Sequence, residues 1–331
     1  YIRASESNFG CLPRRYSNIN GSFGALSPPM FHVEHLEYIP TCPLCQSKES
    51  TPSVTVRDHM VSQEDFTIVA CSSCGFLRTT PRPSSESIGR YYDSPAYKSH
   101  NEAGQGLFDM LYHFLRGYAA RKKVQFLHHQ VPQKSKIRVL LDVGCGIGVF
   151  LEEAKKQNWN VFGVEISENA RKQAEKRINQ PVFEKLEDLP NDQKFDGISL
   201  FHVLEHLPDP VGTMHALYEK ALPGSALILA LPNPNSWDAK HYGAHWAAWD
   251  VPIHFWHFTK SDVQRLAQHT GWTLETIRPM RLDAYYVGLL SESFLHGKKR
   301  WMAATWKGLR SNMLGGRENT SSLMYVLRKP S

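Results

Sequence analysis

An apolar run that enters a glycine-rich turn and leaves it as a helix is the most restrictive feature of this chain. Leu140-Leu141-Asp142-Val143 leads into Gly144-Cys145-Gly146-Ile147-Gly148, and helical spacing begins at Val149. Glycines adopt backbone conformations closed to other residues and let a ligand approach where a Cβ would clash. A dinucleotide fingerprint reads G-x-G-x-x-G, and its last glycine would fall at Val149. The turn reads G-x-G-x-G instead, with Asp142 just before it. That acid suits a cofactor bearing an ammonium group better than it suits a pyrophosphate.

Around this turn the pattern alternates. Strands are expected at 137–142, 159–165, 195–201, 226–231, 272–279 and 323–327, and helices at 149–157, 168–178, 210–221 and 260–270. The rhythm predicts an α/β architecture with a parallel sheet covered on both faces. A Trp- and His-rich insertion, 233–258, interrupts it. Upstream, Leu107, Leu111, Phe114, Leu115 and Tyr118 recur at helical spacing. The first 37 residues are rich in Ser, Asn, Gly and Pro and read as a disordered tail. The chain opens with Tyr1, and Met30 is the expected natural start; native peptides from before Met30 would exclude this.

Cysteine spacing defines a second module. Of six Cys, four form two C-x-x-C knuckles, Cys42/Cys45 and Cys71/Cys74, while Cys11 and Cys145 stand alone. Four thiolates give Zn2+ a closed tetrahedral site, so a structural zinc ribbon is expected rather than a disulfide framework or a catalytic metal. Pro81-Arg82-Pro83 closes the module.

The net charge of +6 arises from scattered Lys and Arg, which reads as a solvated basic surface. The densest basic stretch, Lys298-Lys299-Arg300 with Lys307 and Arg310, alternates with Trp301 and Trp306 and reads as one face of an amphipathic helix. No apolar run approaches the roughly 20 residues of a membrane helix, and no secretory signal is expected, since no basic patch followed by an apolar stretch is found in the first residues. A cytoplasmic protein without a membrane partner is expected; the oligomeric state is not legible.

Glu165 closes the strand Val161-Phe162-Gly163-Val164, where a carboxylate can accept from both hydroxyls of a ribose. With Phe195-Asp196 and His202-Val203-Leu204-Glu205-His206-Leu207-Pro208, the turn resembles the class I S-adenosylmethionine methyltransferases over about residues 105–331. The resemblance implies a Rossmann-like sheet of seven mostly parallel strands, the last one antiparallel. It implies that Gly144, Gly146 and Gly148 pack on the methionine and ribose of the cofactor, that Asp142 holds its amino group, and that Glu165 takes the ribose. Leu186 and Glu187 are expected near the adenine, although Lys185 stands where many relatives carry Asp. Cys145, Ile166, Phe201 and His202 complete the expected cofactor contacts. The implied domains are a tail at 1–37, a zinc ribbon at 38–83, a Tyr-rich segment with a helical lid at 84–135, and the catalytic domain at 136–331.

Methyl transfer to a hydroxyl or an acidic C–H needs a proton acceptor, and His suits that task. Candidates lie in three places: His202, Glu205 and His206 after the 195–201 strand; His254 and His257 in the insertion; Tyr92, Tyr97 and His100 ahead of the sheet. His206, His254 and Tyr97 are the expected catalytic residues. The layout is also similar to zinc-bearing sugar C-methyltransferases, whose two histidines match His206 and His254, the latter with Phe258-Thr259 following; their Tyr and Glu would fall at Val251 and Ile253. A small-molecule acceptor is therefore expected, methylated at carbon or oxygen. Trp237, Trp246, Trp249, Phe255 and Trp256 form either a wall over that acceptor or a satellite hydrophobic cluster. The rival readings are an RNA methyltransferase that docks RNA through its ribbon, and a cofactor-binding protein without catalysis. A dehydrogenase is disfavoured by the glycine spacing.

Overall fold

The computed structural model describes residues 36–92, 107–131 and 137–331, with backbone alone over 107–116 and 118. Cys11, Tyr97, His100 and all of the expected tail up to residue 35 lie outside the described residues.

The described chain opens with β1 (Leu36–Glu37), β2 (Ser50–Arg57), β3 (Asp65–Cys71), β4 (Leu77–Thr79) and β5 (Arg82–Pro83), then α1 (Gly89–Tyr92) and α2 (Leu107–Gln130). The alternating part follows as β6 (Arg138–Val143), α3 (Val149–Lys156), β7 (Trp159–Val164), α4 (Glu168–Ile178), β8 (Phe195–Phe201), α5 (Pro210–Lys220) and β9 (Ala221–Pro232). The insertion holds α6 (Trp237–Tyr242) and β10 (Trp256–His257). Then come α7 (Lys260–His269), β11 (Thr273–Pro279), α8 (Asp283–His296), α9 (Trp301–Gly315) and β12 (Ser322–Arg328).

The main sheet has the order β11-β12-β9-β8-β6-β7. β6, β7, β8 and β9 pair in parallel, and β12 runs antiparallel between β9 and β11. Among the described residues six strands are formed where seven are expected. At the seventh position Phe183 makes a single parallel bridge to Val164. Pro181, two positions before it, has no N–H to give a ladder. The central strands are buried nearly throughout, as a sheet covered on both faces requires. Alternation along each strand divides the core: Leu141, Val143, Ile198 and Leu200 join one cluster, while Leu140, Val161, Ala226 and Ile228 join another. The C-terminal half of α2, expected in a lid, packs Val124 and Leu127 into this second cluster.

Helix starts follow their capping chemistry. Ser167 accepts from Ala170 N–H before α4, and Asp209 accepts from Gly212 N–H with Pro210 at the first helical position of α5. Thr259 and Asp262 form a reciprocal capping box that fixes the exit from the insertion into α7.

The second sheet joins distant parts of the sequence. Its order is β10-β4-β3-β2, so the last strand of the insertion extends the cysteine module as an antiparallel edge strand, Trp256 opposite Arg78. The Trp-rich insertion is a core, not an open wall. Trp246 and Trp249 are buried with Val56, Phe66 and Ile68 of β2 and β3 and with Val287 of α8. Of the two alternatives for these rings, the satellite cluster is the one formed.

Candidate active site

The glycine turn sits at the carboxyl end of β6, where ligands bind in open α/β sheets. Gly144 has φ +69°, and a Cβ there would lie 2.4 Å from Val203 Cγ2. Gly146, at φ +53°, faces open space within 4 Å, which leaves room for a ligand against the backbone. Gly148 caps the N-terminus of α3 in the left-handed conformation. The Glu165 carboxylate closes this edge: Gly146 N–H donates to it at 2.8 Å and Ser167 N–H at 2.9 Å. Both donors fix its orientation at the tip of β7. Asp142 is buried and accepts from Ser199 Oγ at 2.6 Å. Burial pushes its carboxyl up to about 7, and the Ser199 hydrogen bond only partly opposes this.

The other expected contacts fall into two groups. Ile166 is 78% exposed beside Glu165, and Leu186 and Glu187 lie in a single 3-10 turn, half-buried and exposed respectively. Phe201 ends β8, next in the sheet to β6, and His202 follows it. Cys145 differs: its side chain is buried in the core cluster under α3, so only its backbone belongs to the turn.

Past β8 the chain carries a polar cluster. His202 has φ +58°, a sparsely populated conformation for a non-glycine residue and one that concentrates at functional sites. Its Nε2 is 3.2 Å from Asp283 Oδ2 and its Nδ1 3.5 Å from Glu205 Oε1. Burial opposes charge on His202, but the bonds to Asp283 and Glu205 prevail and raise it to about 9. The rings of His206 and His254 meet edge to face at 4.5 Å. His206 Nδ1 lies 3.1 Å from the Ile253 carbonyl, and His254 Nδ1 3.0 Å from the Ala248 carbonyl. A carbonyl can only accept, so each Nδ1 carries its proton in the neutral ring and each Nε2 keeps its lone pair. Burial, then the neighbouring His254, lowers His206 to about 4; burial also lowers His254. The Tyr92 hydroxyl lies 3.2 Å from His206 Nδ1.

Glu205 is 1% exposed, and apart from the long approach of His202 neither carboxylate oxygen has a hydrogen-bond partner among the described residues. One ligand atom each from Glu205, His206 and His254 lie within 4.8 Å of one another, a set that can hold a cation.

The four cysteines of the knuckles form the other such set among the described residues, again with all ligand atoms within 4.8 Å. Cys42 and Cys74 sulfurs are 3.6 Å apart, Cys45 and Cys71 sulfurs 3.4 Å. A tetrahedral zinc with bonds of about 2.3 Å needs sulfurs about 3.8 Å apart, so the cluster fits with small adjustment. Leu44 and Cys45 N–H groups point at Cys42, and Ser73 and Cys74 N–H groups at Cys71, as thiolates require.

The cysteine module reaches the histidines through named bonds. Thr79 Oγ1 donates to the His254 carbonyl at 2.7 Å and lies 3.0 Å from His257 Nε2. Thr79 N–H donates to the Phe255 carbonyl, and Phe255 N–H donates to the Glu205 carbonyl at 2.8 Å. The Arg82 guanidinium lies over the Phe255 ring at 4.4 Å and donates to the Pro208 carbonyl. His257 is thereby a core histidine, held neutral by burial.

Of the residues expected at the site, the turn, Glu165 and His202 gather at one edge, and His206 with His254 form one cluster. Asp283, Asp250 and Thr79 are additional. Asp283 lies 3.2 Å from His202, 81 positions away in the chain, and Asp250 lies 3.8 Å from His254, four positions away. No motif marks them, and only three-dimensional proximity finds them.

A methyltransferase-domain family profile matches residues 112–277. The chain is 28% identical over 156 residues to the ubiquinone biosynthesis O-methyltransferase of Alkalilimnicola ehrlichii, covering 43% of this chain and 63% of that protein. It is 32% identical over 121 residues to the protein of the same name from Coxiella burnetii, covering 34% of this chain and 50% of that one. The chain thus spans less than two thirds of the length of these relatives. Among solved structures, the magnesium protoporphyrin IX methyltransferase of Synechocystis PCC 6803 with bound SAM superposes with a TM-score of 0.44 at 16% identity, over 72% of this chain and 93% of that one.

Proposed function

The chain belongs to the methyltransferase-domain family, and on that premise we propose that it transfers a methyl group from S-adenosylmethionine to a small-molecule acceptor, most simply at an oxygen. The observation that carries this reading is the preformed glycine turn with Glu165 tied to Gly146 N–H. The names of the two relatives, both O-methyltransferases of a biosynthetic pathway, support a small acceptor rather than RNA.

In this reading Asp142 takes the cofactor's amino group, Glu165 the ribose, and Ile166, Leu186 and Glu187 the adenine side. Gly144, Gly146 and Gly148 let the backbone close on the ligand. When bound, the cofactor supplies an electrophilic methyl on a sulfonium. The protein's own task is then to align the acceptor and remove its proton. His254 is assigned that proton. Its Nε2 keeps a lone pair because Nδ1 is fixed on Ala248, burial keeps the ring neutral, and Glu205 offsets the charge once it is protonated. His206, pushed down further by its neighbour, orients the pair. The two C-x-x-C knuckles bind a structural zinc in the module 38–83.

His254→Ala and His206→Ala are expected to keep cofactor affinity in calorimetry while turnover falls at least about a hundredfold. Full activity in both would end the general-base assignment.

The buried Glu205 carboxylate favours a second reading, in which Glu205, His206 and His254 hold a divalent cation that acidifies the acceptor hydroxyl. Turnover that falls on chelation and returns with Mg2+ or Mn2+, while the zinc content stays constant by mass spectrometry, would select it. Turnover indifferent to these additions would select the base.

A further inference from the structure

The outer face of α9 departs from what a solvent-facing helix carries. Its inner face, formed by Ala304, Gly308, Ser311 and Gly315, is buried. A Cβ at Gly308 would lie 2.7 Å from Tyr285 Cδ1, so this side is pressed against α8. At 100° per residue, Met302, Trp306, Leu309 and Met313 fall within about 60° of one another on the opposite side. They are 89%, 67%, 41% and 73% exposed. Trp301 and Leu314 flank the stripe and are exposed as well. A continuous apolar face of this kind marks an interaction surface.

Charge selects the occupant. Between Glu292 and Glu318 the chain has six Lys and Arg, namely Lys298, Lys299, Arg300, Lys307, Arg310 and Arg317, and no acid. Arg300 and Lys307 pair with Glu292, which leaves Lys298, Lys299, Arg310 and Arg317 exposed around the stripe. Two copies meeting through this face would oppose cation to cation. Nucleic acid would match the charge and could stack on Trp301 and Trp306, but Met302, Leu309, Met313 and Leu314 would give it neither rings nor hydrogen bonds. An anionic phospholipid surface matches both, with apolar side chains entering the acyl boundary and Lys and Arg at the headgroups. We propose that the outer face of α9 docks this protein on an anionic phospholipid membrane. This goes beyond the expectation of no membrane partner; among the described residues no helix is long and apolar enough to cross a membrane, and docking needs none.

The test is co-sedimentation of the full chain with vesicles of phosphatidylcholine alone and of equal parts phosphatidylcholine and phosphatidylglycerol. Binding to the anionic vesicles, weakened by salt and nearly absent from the neutral ones, is expected. Trp306→Glu should weaken it at least about tenfold, and Lys298→Glu with Lys299→Glu to a similar extent, without lowering the melting temperature. These positions are exposed, so folding is not at issue. No binding to anionic vesicles at low salt would overturn the proposal, as would binding unchanged in both variants. A dimer in light scattering that Trp306→Glu dissociates, with no vesicle binding, would assign the face to a second copy instead.

Discussion

The glycine-turn edge, proposed above as the cofactor edge, and the histidine cluster lie at the same end of one sheet, yet they are assembled over different distances in sequence. At the cofactor edge, Gly146 and Glu165 are 19 residues apart and the bond between them belongs to a single β-α-β unit. In the histidine cluster, Thr79 holds the His254 carbonyl across 175 residues, and Tyr92 reaches His206 across 114. The first site is fixed wherever its unit folds. The second exists only when the cysteine module is docked against the insertion. A lesion in one should leave the other standing.

The largest effect should come from the cysteines. Cys42, Leu44, Cys71 and Phe76 share a core cluster with Leu204, Phe255, Trp256 and Phe258. Losing the knuckles therefore removes one wall of the histidine cluster and the partner strand of β10. Cys71→Ser is expected to release zinc and lower turnover by more than about a hundredfold, while cofactor affinity in calorimetry changes less than about threefold. Equal loss of both would show that the two sites are one cooperative unit.

The reverse lesion is Gly144→Ala. The added Cβ would lie 2.4 Å from Val203 Cγ2, on a backbone at φ +69°. A destabilisation of about 3 kcal/mol is expected in denaturant melts, together with loss of cofactor affinity. Zinc content should be unchanged. A variant that binds cofactor normally would show that the turn is not the cofactor site.

The same contrast governs what the sequence reveals. The turn, Asp142 and Glu165 are legible because backbone conformation and a strand-end carboxylate leave short-range marks. The C-x-x-C pairs are legible because their spacing is the one that a tetrahedral four-thiolate site requires. His206 and His254 can be named as candidates, but not as neighbours 4.5 Å apart, because no periodicity encodes a contact between a loop and an insertion. Thr79 and Asp283 leave no mark at all, since each is an ordinary residue made important by tertiary packing. The rings of Trp246 and Trp249 cannot be sorted between wall and core, because composition gives burial without giving the partner.

A smaller effect should separate positioning from structure. Thr79→Val keeps shape but removes the hydroxyl that donates to the His254 carbonyl. The buried carbonyl then loses its partner, at a cost of about 1–2 kcal/mol. Turnover should fall about tenfold with cofactor affinity intact, and Thr79→Ser should recover most of it. A Ser variant as poor as Val would point to packing of the methyl group rather than to the hydroxyl.

The smallest effect is a pH dependence confined to the cofactor edge. Burial raises Asp142 to about 7, well above an unfolded aspartate near 4. The folded protein without cofactor therefore holds a proton that the unfolded chain releases, and this contribution to stability is present below about pH 4 and lost as pH rises through about 7. A bound ammonium group would favour the carboxylate, so cofactor binding should expel the proton and strengthen with pH over the same range. Affinity is expected to rise about fourfold between about pH 6.5 and 8, and melting temperature without cofactor to fall relative to Asp142→Asn. The Asn variant should bind cofactor weakly and show no such rise. Turnover limited by the histidine cluster would not follow this profile at saturating cofactor, so an identical pH dependence of affinity and turnover would deny that the two sites are separable.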